Sequence, residues 1–235
     1  MLPVAILAGG FGTRLGSLTR DFPKCLIEIN GRPFVDWQLD LLIKNGYREF
    51  VFCVSYKSEL IQRHLGDGSG RGVNIRYSKD GDTQLGTGGA IHKAIPILGN
   101  EFGVIYGDSY LPINYLQVEQ QFLTSQALAL MTVYENQNQF DKSNVEFNEG
   151  QILDYEKDST NQSMHHIDYG ITFFRKGAFH SWGEKLSFDL SKVCNQLAKD
   201  KQIDGFEVSE RFYEVGSVLG IKEFSTYLRK VADEL

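Results

Sequence analysis

No stretch of this chain approaches the roughly 20 consecutive apolar residues that a membrane-spanning helix needs, so no such helix is expected. Positive charge is not in excess: 24 Lys and Arg stand against 30 Asp and Glu, leaving a formal charge of −6. That balance argues against a surface that coats nucleic acid. Cysteine is scarce. Cys25, Cys53 and Cys194 are odd in number and show no paired spacing, which reads as reduced thiols of a cytoplasmic protein rather than a disulfide framework. Each is expected to behave as a small buried hydrophobe, including Cys25 next to Lys24. Met1-Leu2-Pro3 offers no cationic start and the first apolar run ends at Gly9, so no secretory signal is expected. Histidine offers no zinc site either, because His165 and His166 would face apart on a strand and no third ligand stands at zinc spacing. Gly-Lys-Ser and Gly-Lys-Thr are both missing, which removes the P-loop.

What the chain does have is a glycine-rich loop directly after its first apolar run, Leu7-Ala8-Gly9-Gly10-Phe11-Gly12-Thr13-Arg14-Leu15, followed by Phe22-Pro23-Lys24. Glycines at 9, 10 and 12 let main-chain N–H groups approach an anion without interference from Cβ, and successive N–H groups make an anion-binding concavity. Arg14 and Lys24 add two full charges, which suits a triphosphate better than a single phosphate. The dinucleotide-binding fingerprint does not fit. Gly10, Gly12 and Gly16 are spaced one residue too widely, and Glu28 precedes the turn signal Asn30-Gly31 instead of ending a second strand. With an acidic chain overall, metal ions are expected to help bring a polyphosphate in.

Periodicity predicts a layered α/β fold with a mostly parallel sheet, and 235 residues with 42% hydrophobic content fit one domain, 1–235. Strands are expected at 4–7, 50–54, 73–77 and 103–106. Helices are expected at 34–45 with Gly46 as the stop, at 57–65 closed by Gly66, and around 89–95 ended by Pro96. From 128 to 174 strand-like stretches follow one another, which suggests an inserted antiparallel portion able to wall a second pocket. Helices at 190–199 and 222–232 flank a short strand at 211–215. The glycine-dense stretch 67–72 reads as a surface connection.

Asp108 follows the apolar run Val104-Ile105-Tyr106 and the flexible Gly107, at a strand C-terminus where parallel α/β sheets usually bind ligands. A hard cation such as Mg²⁺ takes carboxylate and phosphate oxygens and keeps several waters, so one or two acidic side chains suffice. A role as N-cap or Asx-turn residue is the plainer alternative. Thr87 could cap a helix running to residue 95. Glu156-Lys157 falls on a strand after the turn Asn148-Glu149-Gly150, where adjacent residues point to opposite faces and exposed surface charge is the plainer reading.

Leu7 to Leu15 with Pro23-Lys24 resembles the signature of the sugar-1-phosphate nucleotidyltransferases, and further segments follow in that family's order. They are Leu85-Gly86-Thr87-Gly88-Gly89-Ala90, Tyr106-Gly107-Asp108, Glu156-Lys157, Asp168-Tyr169-Gly170 and Tyr213-Glu214-Val215-Gly216. The resemblance implies a Rossmann-like sheet with helices on both faces, a nucleoside triphosphate and a sugar 1-phosphate as substrates, and Mg²⁺ as cofactor. It implies a nucleotide site at Leu7, Ala8, Gly9, Gly10, Gly12 and Thr13, with Gly86, Thr87 and Gly88 against base and ribose. Arg14 and Lys24 would be catalytic, and Asp108 and Glu214 metal ligands, although Glu214 stands where the family usually carries aspartate. Asn144, Glu156, Lys157, Tyr169 and Gly170 would line the sugar-phosphate pocket. Within the family the closing segments look most similar to guanylyltransferases acting on D-glycero-D-manno-heptose 1-phosphate, which feed surface-polysaccharide assembly. Uridylyl, cytidylyl or thymidylyl transfer to a hexose 1-phosphate stays open, as does a catalytically silent nucleotide-sugar sensor. The β-helix repeat that some members append is not seen, a homo-oligomer is possible, and no nucleic-acid or membrane partner is implied.

Overall fold

Val4–Leu7 (β1) is the buried first strand, and every later element is arranged around it. The computed structural model describes residues 1–10, 15, 22–55, 57–81, 83–157, 161–183 and 187–233. The strands that follow are β2 (Glu28–Ile29), β3 (Arg32–Pro33), β4 (Glu49–Val54), β5 (Asn74–Lys79), β6 (Glu101–Tyr106), β7 (Ser109–Tyr110), β8 (Ala129–Glu135), β9 (Val145–Asn148), β10 (Gln151–Tyr155), β11 (His166–Arg175), β12 (Ile203–Val208) and β13 (Tyr213–Glu214). The helices are α1 (Phe34–Lys44), α2 (Ser58–Leu65), α3 (Gly86–Leu98), α4 (Tyr115–Thr124), α5 (Leu190–Lys199) and α6 (Val218–Asp233).

Among the described residues nine strands make one sheet in the order β5-β4-β1-β6-β11-β8-β12-β10-β9. The first four are parallel, as βαβ crossovers through α1, α2 and α3 require. β11 then runs antiparallel to both β6 and β8, while β12 lies parallel to β8. The β9–β10 hairpin closes the far edge on Glu149 and Gly150, both at positive φ, the geometry of a two-residue hairpin turn. The sheet is therefore mixed, its parallel half contiguous and its antiparallel pairings confined to the later half.

Helices cover both faces. Val35, Leu39 and Leu42 of α1, Ile61 and Leu65 of α2 and Val118 and Phe122 of α4 bury against one face. Ala90, Ile91 and Ala94 of α3 and Val193, Cys194 and Leu197 of α5 bury against the other. A smaller cluster of Ile29, Phe34, Val215, Phe224 and Leu228 seats α6 on the β2–β3 hairpin. That hairpin turns on Asn30-Gly31, and Asn30 exchanges hydrogen bonds with Ser225 of α6 (2.7 and 3.2 Å).

Most boundaries follow the sequence pattern. α1 ends in a Schellman motif, with Gly46 N–H donating to Ile43 O (3.0 Å) and Tyr47 N–H to Leu42 O (3.1 Å). Three expectations fail. α3 begins at Gly86 and passes through Pro96, because the proline sits in the last turn on the exposed side and the helix closes one step later with Gly99 N–H on Ile95 O (2.9 Å). The strand at 211–215 shrinks to Tyr213–Glu214, which pairs with Ser109–Tyr110 of β7. α6 begins at Val218 rather than at 222.

Candidate active site

Leu7 ends β1 flanked by Cys53 of β4 and Tyr106 of β6. The chain leaves β1 for β4 on one side and reaches β6 on the other. A crevice opens beyond the C-terminal end of β1, where open α/β sheets hold their ligands. Ala8 N–H still donates to Cys53 O (2.9 Å), and Ser55 Oγ donates to Gly9 O (2.6 Å), so Leu7, Ala8 and Gly9 leave the sheet in a fixed direction. Gly10 is exposed with open space around it. Gly12, Thr13 and Arg14 lie outside the described residues. Across the crevice Gly107 N–H donates to Leu7 O (3.0 Å), and a Cβ at 107 would stand 2.7 Å from that oxygen, so only glycine lets the end of β6 come so close to β1.

Gly107 delivers Asp108. Lys24 opens a short 3-10 turn, Lys24–Leu26, directly after Pro23, and its Nζ forms an ion pair with Asp108 Oδ2. Asp108 O accepts from Val215 N–H (2.9 Å), and Ser109 stands opposite Glu214 in the β7–β13 ribbon. The two acidic residues therefore leave one end of that ribbon together. A Cβ at Gly216 would stand 3.3 Å from Lys24 Nζ and 4.0 Å from Glu214 Oε2, so ammonium and carboxylate approach Gly216 together. Among the described residues no three His, Cys, Asp or Glu side chains group as a complete metal cage. Two partly exposed carboxylates are a donor set suited to a hard cation that completes its shell with phosphate oxygens and water. An ammonium already resting on Asp108 marks the spot as favourable to positive charge.

A second group of side chains collects on the α3–α5 face. Asp168 of β11 accepts from Gly170 N–H (3.0 Å) and from Tyr155 Oη (3.4 Å), while its own N–H donates to Asn144 Oδ1 (2.9 Å). The β11–β8 register shifts between Asp168 and Thr172, which places Gly170 at an irregularity rather than in the ladder. Burial pushes the Asp168 carboxyl up to about 6, against the downward pull of Gly170 N–H, the Tyr155 hydroxyl and the Lys157 charge. Asn144 is thus engaged in orienting β11, and its carbonyl accepts from Glu156 N–H (3.0 Å).

Two expectations about this region are corrected. Glu156 and Lys157 are not on a strand: β10 stops at Tyr155, opposite Val145, where β9 begins, and beyond it, among the described residues, one hydrogen bond from Glu156 N–H to Asn144 O (3.0 Å) is all that continues the pairing. Both side chains are exposed, and Lys157 Nζ lies 3.7 Å from Asp189 Oδ2. The Tyr169 side chain lies in the core. Its ring is 1% exposed on the α1, α2 and α4 face, packed edge-on to Phe212 at 5.8 Å.

Gly86, Thr87 and Gly88 begin α3, but their close neighbour is residue 188. A Cβ at Gly88 would stand 2.4 Å from the Phe188 ring, and Gly88 and Gly89 N–H both donate to Phe188 O (3.0 and 3.2 Å). Thr87 does not cap its own helix. Its Oγ1 accepts from Leu190 N–H (2.8 Å) and donates to Asp189 Oδ1 (3.1 Å), capping α5 instead. Asp189 also accepts from Ser191 N–H (2.9 Å). Burial works against its charged form, yet Ser191, Lys157 and Thr87 together hold its carboxyl below the usual range.

Sequence reasoning missed Ser55, Asp189 and Gln38 at the site. Ser55 follows the apolar strand β4 and Asp189 stands at the N-cap of α5, both readable signals, while Gln38 sits inside an apolar helix and gave none. Asp168 lay within a quoted segment without a role of its own. A groove of about 490 Å³ along α6, walled by Arg211, Tyr213, Lys222 and Tyr227, is not lined by Lys24, Asp108 or Glu214.

The parallel half of the sheet, the glycines that follow β1 and the Lys24–Asp108–Glu214 group suit an enzyme that handles nucleoside polyphosphates. The sequence profile of the nucleotidyl transferase family matches residues 4–229, and the chain belongs to that family. It is 32% identical over 214 residues to the D-glycero-alpha-D-manno-heptose 1-phosphate guanylyltransferase of Campylobacter jejuni, covering 90% of this chain and 93% of that one. It is 40% identical over 111 residues, 47% of this chain and 48% of the other, to the N-acetylmuramate alpha-1-phosphate uridylyltransferase of Neisseria meningitidis. The fold is shared with HddC from Yersinia pseudotuberculosis, solved in complex with GMP-PN, at a TM-score of 0.79 and 22% identity over 97% of this chain and all of that one. Among the described residues no helix is long and apolar enough to cross a membrane.

Proposed function

We propose that this nucleotidyltransferase joins GTP to D-glycero-D-manno-heptose 1-phosphate, giving a GDP-heptose and pyrophosphate for surface-polysaccharide synthesis in the cytoplasm. The observation that carries the reading is Lys24 paired with Asp108 at the crevice beyond β1, beside Glu214. Full-length similarity to the Campylobacter guanylyltransferase supports the choice of base and sugar.

The nucleophile is a phosphate oxygen of the sugar 1-phosphate, already anionic, which attacks the α-phosphorus in line as pyrophosphate leaves. No strong general base is required, so catalysis rests on alignment and charge neutralisation. Gly9, Gly10, Gly12, Thr13 and Arg14 hold the β- and γ-phosphates and stabilise the departing pyrophosphate, while Leu7 and Ala8, at the end of β1, belong to the nucleotide site beside them. Lys24 leaves Asp108 to lie between the α-phosphate and the acceptor phosphate. Lys157 exchanges Asp189 for that acceptor phosphate, Glu156 accepts from sugar hydroxyls, and Asn144 and Gly170 shape the pocket through Asp168. Asp108 and Glu214 would hold Mg²⁺, which supplies neutralising charge to the triphosphate when bound.

Uridylyl transfer is the second reading, favoured by the 40% identity with the Neisseria uridylyltransferase. Pyrophosphate release measured with Mg²⁺ across four nucleoside triphosphates and a panel of sugar 1-phosphates separates the two. Turnover confined to GTP with the heptose phosphate is expected, and turnover only with UTP overturns the guanylyl assignment.

A further inference from the structure

α1 carries a buried polar side chain that the reaction scheme does not use. Gln38 is 1% exposed, and its Nε2 donates to Tyr106 O (2.8 Å) and Ser109 O (2.6 Å). Those two carbonyls bracket Gly107-Asp108: one belongs to the last residue of β6, the other to the first residue of β7. A single amide therefore fixes both ends of the two-residue turn from which Asp108 projects. Its reach extends to the second carboxylate, because Ser109 stands opposite Glu214 and Val215 N–H donates to Asp108 O.

The same amide leaves Gln38 Oε1 buried without a hydrogen-bond partner among the described residues. An orphaned buried acceptor is a cost that an apolar residue of similar size would avoid. An apolar residue would in turn leave Tyr106 O and Ser109 O without this donor, so the amide accepts one orphaned oxygen in order to tie both ends of the turn to α1.

We propose that Gln38 is a positioning residue that holds Asp108, and through β7 Glu214, in the geometry their cation requires. The inference rests on the reading of Asp108 and Glu214 as metal carboxylates. Residues behind metal ligands commonly change metal affinity about 10–100-fold when replaced.

The test uses the full chain and Mn²⁺ alone as probe, with free Mn²⁺ followed by electron paramagnetic resonance. Gln38→Met keeps length and apolar bulk while removing both donors, and Gln38→Leu is the second variant should the first not fold. Either is expected to weaken Mn²⁺ binding about 10–100-fold. Leu42→Ala, elsewhere on α1, is the control: it lowers melting temperature but leaves Mn²⁺ affinity unchanged. Unaltered Mn²⁺ binding in the Gln38 variants, with binding lost in Asp108→Asn, overturns the positioning role and leaves the metal reading intact. Unaltered binding in Asp108→Asn overturns both. A loss in Leu42→Ala equal to that in Gln38→Met also overturns the proposal, since any loosening of α1 would then suffice.

Discussion

Lys24 and Asp108 are joined by an ion pair that ties the turn after Pro23 to the end of β6 across 84 residues of sequence. Both side chains keep partial access to solvent, 19% and 30%, so the pair contributes little to stability and is free to exchange partners. Lys24→Ala is accordingly expected to lower kcat by about 10²–10³, as removal of other charge-stabilising groups does, with a melting temperature close to that of the parent. Steady-state pyrophosphate release together with thermal unfolding checks both halves. Near-normal turnover would remove Lys24 from the reaction.

Asp168 makes a prediction about pH. Its carboxyl is raised from 3.8 to about 6 in the folded protein by burial. At low pH both folded and unfolded chains hold the proton. As pH rises between those two values the unfolded chain loses its proton first, so stability falls, and above about 6 the loss is complete. At about 1.4 kcal/mol per pKa unit the ceiling is about 3 kcal/mol. Asp168→Asn, which has no charge to bury, should melt higher than the parent at pH 7 to 8 and converge with it near the lower value. Parallel melting curves at every pH would show that the carboxyl is not raised.

Tyr169 was expected in the sugar-phosphate pocket and lies in the core instead, its hydroxyl buried without a partner among the described residues. Tyr169→Phe removes an orphaned hydroxyl and no contact with substrate. Its KM for the sugar 1-phosphate should match the parent's, and its melting temperature should be equal or higher. A clear rise in KM would return the hydroxyl to the site.

Why Tyr169 misled the sequence reading while Asp108 did not is a matter of what a motif records. Asp108 could be placed from an apolar run ending in glycine, because a strand end in a parallel sheet fixes where the next side chain goes. Asp168-Tyr169-Gly170 gives no such cue: neighbours on a strand point to opposite faces, and only the pairing of β11 with β8, irregular between Asp168 and Thr172, decides where each of them goes. Helix limits at Gly46 and Gly66 were legible, since a left-handed stop is a local property. The partnership of Thr87 with α5 was not, because it joins residues 102 and 103 positions apart, and propensity carries no record of such contacts. Gln38 was invisible for the same reason, its partners lying 68 and 71 residues away.

All three thiols are buried, and burial pushes Cys25 and Cys53 up to about 12 and Cys194 well above its ordinary value. A thiol reagent therefore reaches them only when the surrounding structure opens. Because Cys25 follows Lys24, Cys53 pairs beside Leu7, and Cys194 lies in α5, their separate alkylation rates clock the breathing of the turn after Pro23, the sheet centre and α5. The protein carries in its own side chains three internal reporters of which wall of the crevice moves first.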